Sequence, residues 1–589
     1  MPGGRRLVGL FLPLLLLAVV WHVPSRQAYE AVQAGETWTY GGGELSRHAG
    51  VPFLRLRGSS YEMGLQYGVL LKEEIAASLA NMEKSKASLL DGLPWYLKPF
   101  KRAVLRAALR SYAKRLPSLY TQELAGMAEG SGQSFEDFLY YAFGPEIFTM
   151  GCSALLKRIG DRVVMARNLD YAPPSLGRFP AVVEFNPTGR RRFTSVGLVG
   201  YLGVLTGIND AGVGIALTAV NMYRKHATAD MPIGYKLREI LESAADLGDV
   251  DRILDGYAAE QGWTLTVCNA GRDGAIYDLA CGKLVRNDLA GGDHIHVTNA
   301  FYDYGLRHRY MTVEAATHPT NLARYRTIAR RLKACPGGVD GLIDVLADAS
   351  FCGREQVLGA ANLTVNNCFT LQSVVLDPAG GGLYFSSAPG FAGFAPFFRY
   401  DLQDRAVSDY RPEAPIDAES RLEIAGYADE ATRRLLAADM AGLLSSMPLD
   451  SPGLNLMQLG LLVDAWAQAP DLIDAAALLG AVERIIPPYE EFALVHLWRA
   501  AILLRLGRRG EAVESLEKIL ALPVRYDCTD LAAHALLAEA YYRNMDASHG
   551  AEHAGLGLSL LNDYALGREE RRLQRVLTLL CYGRRDPGD

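Results

Sequence analysis

The sequence lacks several features that would assign it to a common protein class. Its 60 Lys and Arg residues are outnumbered by 66 Asp and Glu residues, and the formal net charge of −6 gives no reason to expect nucleic acid as a partner. It has no Walker phosphate-binding loop, no dinucleotide-binding glycine fingerprint and no cysteines at zinc-binding spacing. We therefore expect neither a cofactor nor a metal ion.

Cysteine is scarce, and its spacing is irregular. The cysteines form no framework from which the sequence alone can pair disulfide bonds. They stand at positions 152, 268, 281, 335, 352, 368, 528 and 581. If Cys152 stays a free thiol, as a nucleophile must, seven cysteines remain. Because seven is odd, at least one more is expected to be unpaired.

The chain does have enough apolar residues to build more than one core. With 589 residues, 49% of them apolar, it is expected to form two or three domains. At its start, Arg5 and Arg6 precede an apolar stretch from Leu7 to Val20. This order is typical of a secretory signal, so residues 1–28 are predicted to be a signal peptide or, if uncut, a membrane signal-anchor. Both outcomes place the protein outside the cytoplasm, either secreted or periplasmic.

A β-hairpin is predicted around the first cysteine. Two short apolar or mixed runs, 152–157 and 163–167, flank a Gly-Asp pair, which is a tight-hairpin signal. A hairpin that closes there brings residues 167–169 beside Cys152. A register error of one residue would reverse which side chains share a face with the thiol.

Cys152 is a candidate nucleophile if the chain is cut in front of it. Cleavage after Gly151 would create an α-amino group with a pKa of roughly 7.7 to 8.0, which suits a base for the adjacent thiol. Arg167 and Asp170 are predicted to orient each other and the new chain end. Because they are three residues apart, one of them is expected to lie past the strand end or at a bulge. The alternative is a buried, inert Cys152 beside a structural ion pair.

The run Cys-Ser-Ala-Leu-Leu from Cys152, with the hairpin and Ala-Arg-Asn-Leu-Asp-Tyr ending at Tyr171, resembles the mature start of N-terminal-nucleophile (Ntn) hydrolases. The group it resembles is the penicillin acyltransferase-like autoproteolytic acyltransferase/hydrolase family, which is related to choloylglycine hydrolases and acid ceramidase. Upstream, residues 56–68 resemble the Gly-x-x-Tyr-Glu-x-Gly-x-x-x-Gly signature of that family's propeptide. The resemblance covers about residues 50–400 and implies an α+β fold, a four-layer αββα sandwich.

The resemblance also implies further site residues. Asn221 is similar to the family's oxyanion-hole Asn, Asn299 ends a strand like the one that carries a catalytic Asn, and Arg324 lies where the family has an active-site Arg. Asparagine also caps turns, and Arg324 belongs to a basic helical pattern in which a solvated face is the alternative and Arg326 is a rival. The predicted catalytic set is Cys152, Arg167, Asp170, Asn221, Asn299 and Arg324, with autocleavage between Gly151 and Cys152.

Three tyrosines are candidates for a substrate pocket. Tyr171, Tyr201 and Tyr223 are expected either to line a pocket for an acyl group or to pack in the core.

Two histidines offer competing chemistry. A papain-like enzyme would need His294 or His296 as its base, but the sequence around Cys152 lacks that family's flanking pattern. A strand would also put both histidines on one face, as in a metal site. Nothing elsewhere in the sequence supplies matching ligands, so polar strand residues are the favoured interpretation.

The chain is expected to have three parts after the signal segment. Residues 29–151 would be the propeptide or small subunit, 152–410 the catalytic domain, and 411–589 an all-α domain. Leu497 to Leu520 resembles a tetratricopeptide (TPR) helix pair, with a plain helical bundle as the alternative. Such a domain would bind a protein partner or stabilise the chain.

The expected function is that of an exported, self-processing Ntn amidohydrolase or acyltransferase. Cys152 would form an acyl-enzyme with a linear small-molecule amide and pass the acyl group to water or an amine. The alternative is a catalytically inactive relative that serves as an envelope scaffold and binds partners through its helical domain.

Overall fold

The chain folds as a mixed arrangement of helices and strands in a computed structural model. The described residues are 29–91, 109–111, 113–142, 150–172, 174–223, 230–259, 261–335, 337–351, 363–413, 415–436, 439–446, 456, 458–460, 462–463, 466, 473–562, 564, 566 and 568–582. The predicted signal segment and most of the basic stretch from Lys98 to Arg115 lie outside the described residues.

The strands are short and mostly rich in buried apolar residues. In chain order they are β1 (Val32–Ala34), β2 (Thr37–Tyr40), β3 (Gly43–His48), β4 (Val51–Gly58), β5 (Met150–Ile159), β6 (Arg162–Tyr171), β7 (Pro180–Pro187), β8 (Phe193–Leu198), β9 (Thr206–Asn209), β10 (Gly214–Val220), β11 (Gly262–Cys268), β12 (Gly274–Ala280), β13 (Lys283–Asp288), β14 (His294–Val297), β15 (Thr370–Asp377), β16 (Gly382–Ser387), β17 (Phe397–Asp401) and β18 (Val407–Arg411).

The helices surround these strands and continue beyond them. They are α1 (Ser60–Leu70), α2 (Lys72–Asp91), α3 (Ser118–Ser131), α4 (Phe135–Ala142), α5 (Ile233–Ser243), α6 (Leu247–Leu254), α7 (Tyr304–Tyr310), α8 (Val313–Thr317), α9 (Pro319–Ala334), α10 (Gly338–Leu346), α11 (Ala418–Leu436), α12 (Met440–Ser445), α13 (Ala475–Ile485), α14 (Ala493–Arg505), α15 (Arg509–Ala521), α16 (Asp527–Arg543), α17 (Ala547–Leu561) and α18 (Arg568–Tyr582).

The strands form two sheets that pack against each other. One sheet has the order β1-β2-β3-β4-β7-β8-β9-β10-β11-β12-β13, and the other has the order β14-β5-β6-β15-β16-β17-β18. Ile208 and Ile276 of the first sheet share an apolar cluster with Leu156 and Met165 of the second. This cluster is the core between the sheets, and it leaves one face of each sheet to be covered by helices.

Helices cover both outer faces. Leu217 on the first sheet packs in one cluster with Met127 of α3 and Leu237 of α5. Leu155 on the second sheet packs with Ile328 of α9. The mixed helix-and-sheet fold expected from the sequence is therefore confirmed.

The segment before Cys152 is built into the first sheet. Strand β4 pairs in parallel with β7, and Phe53 lies opposite Val182. On either side of this pair, β3 runs antiparallel to β4 and β8 runs antiparallel to β7, so the parallel pair joins the N-terminal hairpins to the rest of the sheet. Residues 29–151 thus share a core with residues 152–410.

Two helices before Cys152 approach each other through glycines. Gly64 and Gly68 on α1 face Gly126 and Gly130 on α3. A Cβ atom at Gly64 would overlap the backbone carbonyl of Glu123, so only glycine permits this distance between the helices. The Gly-x-x-x-Gly spacing of the predicted propeptide signature thus has a packing reason.

A buried ionic network lies beneath the same helices. The Arg238 guanidinium on α5 is fully buried and donates to Glu123 Oε2 at 2.6 Å and to Glu242 Oε1 at 2.8 Å. It also lies 4.5 Å from the ring centre of Phe185. Burial raises the pKa of Glu123 to about 7, against the opposing effect of Arg238. Because Glu123 precedes Cys152 and Arg238 follows it, the network ties the two segments together.

The C-terminal region is helical, as the sequence indicated. Its helices share a cluster in which Leu459 and Ile502 meet Phe391 and Phe394 from the region around the second sheet. The TPR-like character stays a prediction. Within the described part of the chain, no helix has both the length and the apolar character needed to cross a membrane.

Candidate active site

The predicted hairpin is confirmed and places the candidate nucleophile. Ile159 pairs with Arg162, and the two residues between them close the turn, with Gly160 at a φ of +61°. The same register sets Cys152 opposite Leu169. Cys152 is completely buried, close to the start of β5.

Arg167 contacts the thiol. It lies two residues before Leu169, on the same face of β6, and its Nη2 atom is 3.4 Å from Cys152 Sγ. The same nitrogen donates to the Leu217 carbonyl oxygen at 3.1 Å, and Nη1 donates to Thr206 Oγ1 at 2.9 Å. Both of these acceptors belong to the first sheet, so the guanidinium is held between the sheets.

Burial and charge act on the thiol in opposite directions. Burial raises the pKa of Cys152, and the Arg167 guanidinium is the largest influence that lowers it. Asp170 raises this pKa and Arg324 lowers it. In the uncut chain the thiol is therefore held mainly in its neutral form.

Asp170 lies on the opposite face of β6 from Arg167. Its Oδ1 accepts a hydrogen bond from Thr370 Oγ1 at 2.7 Å, and its Oδ2 is 3.7 Å from Arg324 Nη1. The ion-pair partner of Asp170 is therefore Arg324, which differs from the expected mutual orientation of Arg167 and Asp170. The physical reason is the alternation of side chains along a regular strand.

The expected irregularity lies on the neighbouring strand. Both Arg167 and Asp170 belong to β6, and its pairing with β5 is regular. The register shifts instead on β15, between Thr370 and Gln372. Burial raises the pKa of Asp170, while Arg324 and then Thr370 oppose the shift.

Arg324 is the arginine that reaches the site. It is buried on α9, and its Nη1 donates to the Cys152 carbonyl oxygen at 2.5 Å and to Ser153 Oγ at 3.0 Å. Its Nη2 donates to Asn299 Oδ1 at 2.5 Å. The rival Arg326 is exposed and lies over the ring of Tyr526, 5.0 Å from its centre.

Asn299 holds the backbone of the nucleophile. It follows β14, which pairs with β5, and its Oδ1 accepts a hydrogen bond from the Cys152 backbone N–H at 3.1 Å. Its Nδ2 donates to the Ala219 carbonyl oxygen at 2.9 Å. Asn299 thus binds the nitrogen that would become the α-amino group if the chain were cut after Gly151.

All of these site residues except Cys152 lie within a segment that matches a known family. Residues 158–384 match the family model described as acyl-coenzyme A:6-aminopenicillanic acid acyl-transferase. The family resemblance inferred from the motifs is confirmed for this segment. The matched segment of this acyl-transferase family begins just after the candidate nucleophile and includes the candidate catalytic residues downstream of it.

Two curated relatives match about a third to two fifths of the length of the chain. An uncharacterized protein of Archaeoglobus fulgidus is 24% identical over 261 residues, which are 39% of this chain and 44% of that protein. Protein dcd1B of Dictyostelium discoideum is 27% identical over 214 residues, which are 33% of this chain and 43% of that protein. The chain spans less than half the length of these two relatives.

Solved structures show more distant likeness. An N-acylethanolamine-hydrolyzing acid amidase ortholog of Caenorhabditis elegans is 17% identical, covering 39% of this chain and 93% of that chain at a TM-score of 0.28. Penicillin V acylase from Agrobacterium tumefaciens is 14% identical, covering 45% and 99% at a TM-score of 0.28. At TM-scores this low, neither likeness carries an argument about this chain.

Asn221 and the three tyrosines lie outside the set of contacts described around Cys152. Asn221 is exposed just after β10, two residues beyond the Ala219 carbonyl to which Asn299 donates. Tyr171 and Tyr201 are buried, whereas Tyr223 is exposed. The contacts described above bring together Cys152, Arg167, Asp170, Asn299 and Arg324 but do not include Asn221 or these tyrosines.

The histidine alternatives find other partners. His296 Nε2 donates to the Tyr325 carbonyl oxygen at 3.1 Å, and burial lowers the pKa of this imidazole to about 4. His294 bonds to Asp293 at 2.5 Å. Among the residues whose placement is described, no group of three or more His, Cys, Asp or Glu side chains could hold a metal ion.

Thr206 and Thr370 are site residues that sequence reasoning missed. The Thr206 hydroxyl accepts a hydrogen bond from Arg167, and the Thr370 hydroxyl donates one to Asp170. Thr370 is the first residue of β15, and no local spacing predicts its partner. The contact of Thr206 crosses from one sheet to the other, so only the tertiary fold creates it.

Proposed function

We propose that this protein is an exported, autoproteolytic Ntn amidohydrolase or acyltransferase that cleaves a linear amide C–N bond through a Cys152 acyl-enzyme. In this proposal its two sheets and outer helices are the four-layer αββα sandwich of Ntn hydrolases. The observation that carries the proposal is the pair of contacts at Cys152. Arg167 Nη2 lies 3.4 Å from the sulfur, and Asn299 Oδ1 lies 3.1 Å from the backbone nitrogen.

Self-cleavage would come first. The Cys152 sulfur attacks the carbonyl carbon of Gly151, the bond from that carbon to the Cys152 nitrogen breaks, and the nitrogen takes up a proton. Water then hydrolyses the resulting thioester to leave a carboxylate on Gly151 and a free thiol and amine on Cys152. Asn299 already binds this nitrogen before the cut. The buried Oδ2 of Asp170, 3.7 Å from Arg324 Nη1, is a further acceptor on that face of the strand.

Turnover would use the same atoms. The new amine, with a pKa of roughly 7.7 to 8.0 in a free chain end, accepts the proton of its own thiol. The sulfur attacks the substrate amide carbonyl, the amine product leaves with a proton, and water or another amine removes the acyl group from the sulfur. We propose that Asn221 and Asn299 donate to the oxyanion, with Arg324 holding Asn299 and Arg167 lowering the thiol pKa. We further propose that Tyr171, Tyr201 and Tyr223 line the acyl pocket.

The segment 29–151 would stay bound after the cut as the small subunit. Its strand β4 is hydrogen-bonded along β7 from Phe53 to Gly58. Its Glu123 pairs with Arg238 in the buried network. Separation would break both a sheet and a buried ion pair, so we expect a non-covalent complex of the two chains.

Export and partner binding are further parts of the proposal. The basic pair before the apolar stretch from Leu7 supports a signal peptide or signal-anchor. The helices from α13 to α18 support a TPR-like domain that binds a protein partner.

The direct test is intact-mass and N-terminal analysis of the purified full chain and of Cys152→Ala. We expect the wild type to yield two fragments that meet at Gly151 and Cys152, and Cys152→Ala to stay whole. Cys268→Ala is the matched control, because Cys268 is an equally buried strand cysteine on β11, away from the contacts of the site. It should cleave like the wild type.

Labelling separates an enzyme from a scaffold. An electrophilic amide analogue should modify Cys152 in the cleaved protein. Cleavage of Cys152→Ala at the same bond would make the cut an ordinary proteolytic nick. An intact wild-type chain with an unreactive Cys152 would favour the inactive scaffold.

A further inference from the structure

Thr206 occupies a special place relative to the candidate nucleophile. It is the first residue of β9 in the first sheet, whereas Cys152 and Arg167 belong to the second. It is fully buried, and its hydroxyl oxygen accepts a hydrogen bond from Arg167 Nη1 at 2.9 Å. It therefore bonds the cation that lies 3.4 Å from the sulfur.

Besides Thr206, the Arg167 guanidinium contacts a backbone carbonyl and the thiol. Nη2 is shared between the Leu217 carbonyl at 3.1 Å and Cys152 Sγ at 3.4 Å. Nε is buried and has no hydrogen-bond partner among the described residues. Two acceptors, one on each terminal nitrogen, thus fix the plane of the guanidinium opposite the thiol. A planar fork held at only one of these points is free to rotate about its long side chain.

We propose that Thr206 is a positioning residue that holds the Arg167 guanidinium against the Cys152 sulfur. This inference rests on the proposed function. Without the hydroxyl, Nη1 loses its acceptor in a buried site and the guanidinium turns to find another. The sulfur then loses its nearest positive charge.

The charges around the sulfur predict the direction of the effect. The charged groups that act on the sulfur are Arg167 and Asp170 on β6 and Arg324 on α9, and all three are buried. Because Arg167 is the largest influence that lowers the thiol pKa, moving it away should raise that pKa. A purely structural role for Thr206 would alter stability without shifting the pH dependence of the thiol.

The test compares Thr206→Val with Thr206→Ser, which keeps the hydroxyl. Thr266→Val is the matched control, because Thr266 is a fully buried strand threonine on β11 whose hydroxyl has no partner in the described part of the chain. For each full-length variant, the rate of cleavage at Gly151/Cys152 is measured against pH. The rate of alkylation of Cys152 by iodoacetamide is then measured against pH in the cleaved fraction.

We expect Thr206→Val to slow both reactions about 10- to 100-fold at neutral pH and to shift both profiles to higher pH. Thr206→Ser and Thr266→Val should follow the wild type. If Thr206→Val does not fold, Thr206→Ala replaces it in the same comparison. Wild-type profiles in the folded hydroxyl-deficient variant would overturn the role of Thr206 and leave the proposed function intact. Failure of the wild type itself to cleave or react would overturn the proposed function instead.

Discussion

Replacement of Arg324 by methionine tests how the site is held together. The change removes the donors to the Cys152 carbonyl, Ser153 Oγ and Asn299 Oδ1, and it removes the positive charge 3.7 Å from Asp170. Both members of that ion pair are buried. Breaking such a pair leaves an uncompensated charge and costs about 3–5 kcal/mol in the free energy of unfolding.

The matched control is Arg326→Met on the same helix. Arg326 is exposed and contributes one long hydrogen bond to Arg525, at 3.4 Å, and a contact with the ring of Tyr526. Its loss should cost less than about 1 kcal/mol. Urea unfolding of Cys152→Ala chains that carry each change measures both losses without interference from cleavage. Equal stabilities of the two variants would refute the assignment of Arg324 to the buried site.

The pH dependence sharpens the same prediction. Burial raises the folded pKa of Asp170 above its unfolded value, and Arg324 opposes that shift. A carboxyl group with a raised folded pKa contributes stability at low pH that is lost as the pH rises through that pKa. Without Arg324 the pKa rises further, so the loss extends to higher pH. The destabilisation by Arg324→Met should therefore be larger at about pH 8 than at about pH 5.

Two further predictions concern contacts made by the segment before Cys152: its buried ion pair with Arg238 and the glycine contact between α1 and α3. Arg238→Met leaves the buried Glu123 carboxylate without its arginine, while Glu242 keeps Arg190, and should lower the free energy of unfolding by about 3–5 kcal/mol. Arg190→Met removes a partly exposed arginine at the edge of the same network and should cost about 1 kcal/mol or less. Similar urea midpoints of the two variants would count against the network. Gly64→Ala forces α1 and α3 apart and should lower the free energy of unfolding by more than about 3 kcal/mol in the same urea assay. Gly480→Ala is its control on α13, where an added Cβ meets no other atom, and it should raise the free energy of unfolding by about 0.5–1 kcal/mol. A stable Gly64→Ala variant would show that the helices do not cross at that point.

Local patterns of the sequence were enough to predict the hairpin and the mixed fold. Apolar runs around a Gly-Asp pair fix a two-residue turn, and counting from that turn sets Cys152 opposite Leu169 because strand pairing advances one residue at a time. Roles inferred by resemblance, such as that of Asn221, stay predictions.

The partner of each charged site residue followed from the tertiary structure. The sequence predicted that Arg167 and Asp170 orient each other, with one of them past the strand end or at a bulge. Both instead lie on β6, where the alternation of side chains turns them to opposite faces. Asp170 then meets Arg324 from a helix far along the chain, and Arg167 meets Thr206 from the other sheet. Short-range order depends on backbone geometry over a few neighbouring residues, so the sequence by itself determines it. Contacts across sheets and layers depend on how separate elements pack, and no spacing along the chain encodes that packing.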